Sequence, residues 1–116
     1  MNYNSTFKYD LEIGQLSEKA LNDVLSNKKV EVKRDLQAHR TGNVYVEYMS
    51  RGKWSGISTS TADYYCFFVS ETQMILIQTP LLKLKVKKYI NTQRDRVGGD
   101  NNTSRGILLP LEELVK

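Results

Sequence analysis

At 116 residues, 40% hydrophobic and 26% charged, the chain is the size of one domain and too apolar to be a disordered polymer. It has no apolar run near the ~20 residues that span a bilayer, and its polar start, Met1 to Lys8, lacks a signal-peptide core. The expectation is therefore a cytoplasmic protein with no membrane contact. Net charge is +4, and Cys66 stands alone, which excludes an intrachain disulfide and leaves a buried core thiol as its role.

The first predicted element is an amphipathic helix over about Gln15 to Leu25. Ile13, Leu16, Ala20, Leu21, Val24 and Leu25 fall on one broad arc, and Glu12, Lys19, Asn22, Asp23 and Ser26 on the other. Glu18 sits at the edge of the apolar arc, so its carboxylate is expected to look toward whatever the helix packs on. Lys28 to Asp35 alternates as a strand, with Val30 and Val32 on one face and Glu31, Lys33 and Asp35 on the other. A turn-rich stretch, Ala38 to Asn43, leads to a second strand, Val44 to Met49. The short connection predicts that these two strands pair as an antiparallel hairpin.

Turn chemistry follows at Arg51 to Gly56, and the Ser/Thr cluster Ser58 to Thr61 predicts a capped helical turn. Tyr64 to Val69 and Met74 to Gln78 are continuous apolar runs, read as central strands joined by a tight turn. Thr79-Pro80 is a cap followed by a first-turn proline, so the run through Ile90 is read as a helix. Val97 to Gly106 reads as a loop; a short strand and a last helical turn close the chain. The expected architecture is α/β: one domain over residues 1–116, a mixed central β-sheet flanked by helices.

One arrangement carries chemistry. Asp35 ends a strand and Glu47 lies on the next, so pairing of the two would bring both carboxylates to one end of the sheet, with Glu18 as a third. Paired carboxylates beside basic residues suit a divalent cation, because hard oxygen ligands hold Mg²⁺ and leave positions for water and phosphate. Lys33, one strand repeat before Asp35, would offset phosphate charge. The plain alternative for Glu31, Lys33, Asp35 and Glu47 is a solvated sheet face.

A helix glutamate in GQLSEKALNDVL (Glu18), a strand-end aspartate in VEVKRD (Asp35) and a strand glutamate in NVYVEYM (Glu47) together resemble the PD-(D/E)XK, or restriction-endonuclease-like, nucleases, especially their small phage-type members. The resemblance covers about Gln15 to Val69. It implies a restriction-endonuclease-like core, Mg²⁺ (or Mn²⁺) held by Asp35, Glu47 and Glu18, and hydrolysis of DNA phosphodiester bonds. The sequence departs from the pattern twice: Met49 stands where the family has its lysine, and Arg34 where its name has proline. Lys33 is the natural substitute for the lysine. A competing parse takes Glu31-Val32-Lys33 as the carboxylate-x-lysine triplet, with Asp10 or Asp23 as its partner. A catalytically inactive nucleic-acid-binding module on the same fold is the alternative function.

Partner expectations follow from charge. Arg34, Arg40, Arg51, Lys53, Arg94, Arg96 and Arg105 are the candidate contacts to DNA. The glycine-rich stretch from Val97 to Gly106 is expected to form a substrate-contacting flap. Ser55, Thr59 and Thr61 are candidate phosphate contacts. Tyr45, Tyr48, Trp54, Tyr64 and Tyr65 divide between base stacking and core, with core the larger share. His39, without Cys or His company, is not expected to bind metal. Cutting both strands of a duplex is simplest with two sites, so a symmetric homodimer is expected.

Overall fold

The computed structural model describes residues 3–116, with side-chain surroundings for residue 8 and residues 11–116. Helix α1 spans Tyr3–Asn27 and leads into β1, Val30–Arg34. The one-turn helix α2 (Ala38–Thr41) precedes β2 (Asn43–Ser50) and the two-residue β3 (Lys53–Trp54). A 3₁₀ turn at Gly56–Ser58 leads to β4 (Tyr64–Phe68), β5 (Met74–Gln78) and helix α3 (Thr79–Lys87). Strands β6 (Asp95–Gly98) and β7 (Ser104–Pro110) and the final turn α4 (Leu111–Leu114) complete an α/β domain.

The strands form two sheets rather than one. A mixed three-stranded sheet has the order β1-β4-β5, with β1 parallel to β4 and β4 antiparallel to β5. An antiparallel four-stranded sheet has the order β3-β2-β7-β6. The core joins them: Val44, Val46 and Tyr48 of β2 and Ile107 and Leu109 of β7 meet Tyr65 and Phe67 of β4, Ile77 of β5, and Leu82 and Val86 of α3. Cys66 is buried and unpaired, as expected.

The β1–β2 hairpin does not form. Its connection turns the chain instead of reversing it. The Asp35 carboxylate accepts a hydrogen bond from the Gln37 amide at 3.2 Å, and the Ala38 amide donates to the Asp35 carbonyl at 3.0 Å. Ala38 is buried, and Gly42 closes α2 with a left-handed φ of 78°. Strand β2 therefore enters the other sheet, where β7 offers seven residues of ladder from Ser104 to Pro110.

Three other expectations change. Helix α1 is longer than its apolar arc suggested and does not lie on the core: among the described residues only Val24 is buried, while Ile13, Leu16, Leu21 and Leu25 are exposed. The Val97–Gly106 loop is largely a hairpin, pairing Val97 with Arg105 and Gly98 with Ser104. Composition flagged the turn residues, Asp100 to Asn102, and overran into both strands. The helical turn expected at Ser58 to Thr61 forms earlier, at Gly56–Ser58.

The alternation of β1 also places its faces unexpectedly. Lys33 is in register with Phe67, and Glu31 with Tyr65. Both rings are buried in the core, so the charged face of β1 is the inner one. Val32, in register with Cys66, is left 55% exposed on the outer face.

Candidate active site

A cleft of about 320 Å³ opens where the two sheets meet. Lys33 reaches it from β1 and Glu47 from β2, over a floor that includes Tyr45, Ile57, Tyr65 and Phe67, with Gly99 and Ser104 at its far side. Two residues chosen from sequence thus meet without their strands pairing. The sheets fold against each other, and that brings the inner face of β1 toward β2.

Glu47 is held from the turn that follows β3. Ser55 donates its hydroxyl to Glu47 Oε2 at 2.9 Å, and the ladder of β2 with β7 shifts register between Glu47 and Met49. The Ser55 amide donates to the Tyr48 carbonyl at 3.1 Å and the Ser58 hydroxyl to the same oxygen at 2.7 Å, while Ile57 is buried as the anchor. Only glycine fits at position 56. Its φ is +53°, and a Cβ there would lie 2.2 Å from the Glu47 carbonyl oxygen. Sequence reasoning noted Ser55 only as a phosphate contact; its hold on Glu47 depends on a turn that no local pattern announced.

Lys33 is tied to its own strand. Its ammonium lies 3.2 Å from Glu31 Oε1, with both side chains about half exposed. Asp35 is not among the residues lining the cleft; one of its oxygens is spent on the Gln37 amide. Glu18 is exposed on α1. Among the described residues no three of His, Cys, Asp and Glu form a group able to hold a metal, so the expected convergence of Glu18, Asp35 and Glu47 is not present there. The expected geometry rested on a hairpin and on a packed helix, and neither forms.

The glycines of the expected flap have a packing role. A Cβ at Gly106 would lie 2.6 Å from the Tyr45 ring, and one at Gly98 2.9 Å from the Tyr45 hydroxyl. That hydroxyl pairs with Ser104 Oγ at 2.9 Å. Gly99 still borders the cleft.

Several basic candidates are engaged within the fold. Arg94 donates to Asn43 Oδ1 at 2.7 Å and to the Leu108 carbonyl at 2.9 Å. Arg105 pairs with Asp95 at 3.1 Å. Arg40 bonds Gln37 Oε1, and Arg96 the Gln93 carbonyl. Arg34, Arg51 and Lys53 are exposed, Arg34 one residue out of phase with Lys33 and so on the outer face of β1. No local pattern marks the role of Asp95. Buried, it accepts from the Tyr48 hydroxyl with both oxygens, at 3.0 and 2.9 Å, and from the Asn91 amide at 2.9 Å. Burial and that carboxylate push the Tyr48 hydroxyl above its ordinary pKa. All the contacts of Asp95 are internal, so it braces the second sheet.

Of the aromatic residues, Tyr48 and Tyr65 are core, Tyr45 and Tyr64 half-buried and Trp54 exposed. Trp54 borders a second cleft, of about 330 Å³, with Lys83, Val86, Lys87 and Ile90. Comparison with protein-family models, with curated proteins and with solved structures gives no match to this chain.

Proposed function

We propose that the protein is a metal-dependent nuclease that hydrolyses DNA phosphodiester bonds, with Glu47 as the metal-holding carboxylate and Lys33 as the charge that meets the phosphate. The observation that carries this reading is the meeting of Glu47 and Lys33, from two different sheets, in one cleft where Ser55 orients the carboxylate. The donors fit the cation. Mg²⁺ is commonly held by one or two carboxylates together with water and substrate phosphate, so no closed three-acid cage is required; Mn²⁺ accepts the same donors. When bound, the ion supplies positive charge to the phosphodiester and makes water a better acid. The chain's own part is positional. Ser55 holds one oxygen of Glu47, a residue that lines the cleft. The Lys33 ammonium can exchange Glu31 for a phosphate oxygen, a stronger partner for a half-exposed charge. Trp54, Lys83 and Lys87, which line the second cleft together, suit a base and its phosphates.

The second reading is a non-catalytic nucleic-acid-binding module. The 3.2 Å pair of Lys33 with Glu31 favours it, because a lysine already neutralised stabilises no developing charge. Two variants separate the readings. Lys33→Ala is expected to lose Mg²⁺-dependent cleavage while Mn²⁺ binding, followed by electron paramagnetic resonance, survives. Glu47→Gln is expected to lose both. DNA binding by wild type with no cleavage in either ion would leave the binding module as the function.

A further inference from the structure

Two apolar surfaces of this chain face solvent, and in the structure they lie apart. One is α1, where Leu11, Leu16, Leu21 and Leu25 are exposed, Leu25 to 75%. The other is the outer face of the three-stranded sheet, where Val32, Met74 and Leu76 are 55%, 59% and 38% exposed. On this face Val32 is in register with Cys66 and Cys66 with Leu76, so the exposed side chains of β1 and β5 flank the buried Cys66 of β4.

The joint between helix and sheet decides which helix can cover the patch. Lys29 is clamped to the start of β4: its amide donates to Asp63 Oδ2 at 2.9 Å, and its carbonyl accepts from the amides of Asp63 at 2.8 Å and Tyr64 at 3.2 Å. Its ammonium donates to Thr61 Oγ1 at 2.7 Å. Asn27, the last residue of α1, is bonded back to Asp23 at 2.9 Å. Only Lys28 remains between the helix end and the clamp. The two-residue connection, Lys28 and Lys29, is at the short end of the about two to six residues such joints use. Among the described residues of α1 only Val24 is buried, and the molecule extends 60 Å along its long axis against 29 and 27 Å across, so most of α1 projects from its own sheet.

We infer that α1 lies on the outer sheet face of a second copy of this chain, in a reciprocal exchange that gives each protomer its partner's helix. Charge favours this occupant. Met1 to Asn27 carries Asp10, Glu12, Glu18 and Asp23 against Lys8 and Lys19, a net −2, which leaves +6 on the remainder of a chain whose total is +4. Arg34, at the edge of the patch, meets the acidic helix. Symmetry favours it as well, because one two-fold axis satisfies both helices and both faces and leaves no open end. The area sets the strength of the contact. Three strands of five residues present a face of roughly 14 × 17 Å, and two helix-on-sheet contacts of that size bury about 950 Å² counting both sides, the size of a weak, reversible interface.

The test is the solution mass of the full chain, by sedimentation equilibrium at micromolar concentration, with far-ultraviolet circular dichroism to check that each variant is folded. Wild type is expected to be dimeric. Leu21→Lys with Leu25→Lys on the helix, and Val32→Lys with Leu76→Lys on the sheet, are each expected to be monomeric. Their equimolar mixture keeps one intact helix-on-face contact of the two, so it should associate measurably more than either variant alone and less than wild type. Should the doubly substituted sheet fail to fold, Met74→Lys alone, at the most exposed position of the patch, is expected to weaken the dimer at least tenfold. A monomeric wild type would overturn the exchange. So would a dimer indifferent to the sheet substitutions, which would mean that the helices pair with each other.

Discussion

Ser55 is the residue on which the cleft's geometry turns. Its hydroxyl holds Glu47 Oε2 at 2.9 Å, and its place is set by Gly56, whose φ and closeness to the Glu47 carbonyl admit no other side chain. Groups that orient a metal-holding carboxylate typically contribute 10- to 100-fold in activity or metal affinity. Ser55→Ala is therefore expected to lower Mg²⁺-dependent cleavage by about 10- to 100-fold, with melting temperature nearly unchanged; thermal melts and cleavage rates on one preparation check it. Ser55→Thr, which keeps the hydroxyl, should recover most of the loss. At this scale the sequence was partly legible. Alternation along VEVKRD and NVYVEYM placed Lys33 and Glu47 correctly on strands. It could not show that Asp35 would spend an oxygen on its own turn or that Asp95 would be buried, because both depend on contacts set by tertiary folding.

At the scale of elements, the periodic ones were legible and their partners were not. Strands β4 and β5 and helix α3 match their apolar runs closely. Helix α1 shows an amphipathic pattern, yet pattern alone does not say which body its apolar face meets. Left in water, its Leu and Ile side chains each forgo about 1.5–3 kcal/mol of burial, which is why the helix calls for a partner. The final turn, α4, illustrates a local electrostatic lock. Glu113 is buried on it and lies against Lys88 at 2.5 Å and Lys116 at 3.1 Å; Lys88 first, then Lys116, hold its carboxyl below the ordinary carboxylate pKa. A lowered folded pKa adds stability above the unfolded value, near 4.5, and the gain is lost as pH falls through the folded pKa. Wild type should therefore lose stability on acidification below about that value more steeply than Glu113→Gln does. Melting temperatures of the two proteins from pH 7 down to pH 3 test this, and parallel curves would contradict it.

For the whole molecule, the order of helix-period and strand-period segments indicated the class, an α/β domain, and the division into two sheets escaped it. A connection as short as residues 35–42 suits a hairpin as well as a turn into another sheet, and only the competing ladder with β7 decides between them. The resulting fold brings an acid from one sheet and a lysine from the other into a single cleft, and the account of function stands on that meeting. The most direct measurement compares purified wild type with Glu47→Gln on branched, duplex and single-stranded DNA, in Mg²⁺, in Mn²⁺ and in chelator. The account predicts that wild type cuts at least one of these substrates in a metal-dependent way, and that Glu47→Gln is slower on it by more than the about 100-fold that losing a group supporting a metal ligand costs. Failure of wild type to cut any of them, or equal cutting by Glu47→Gln, would contradict it.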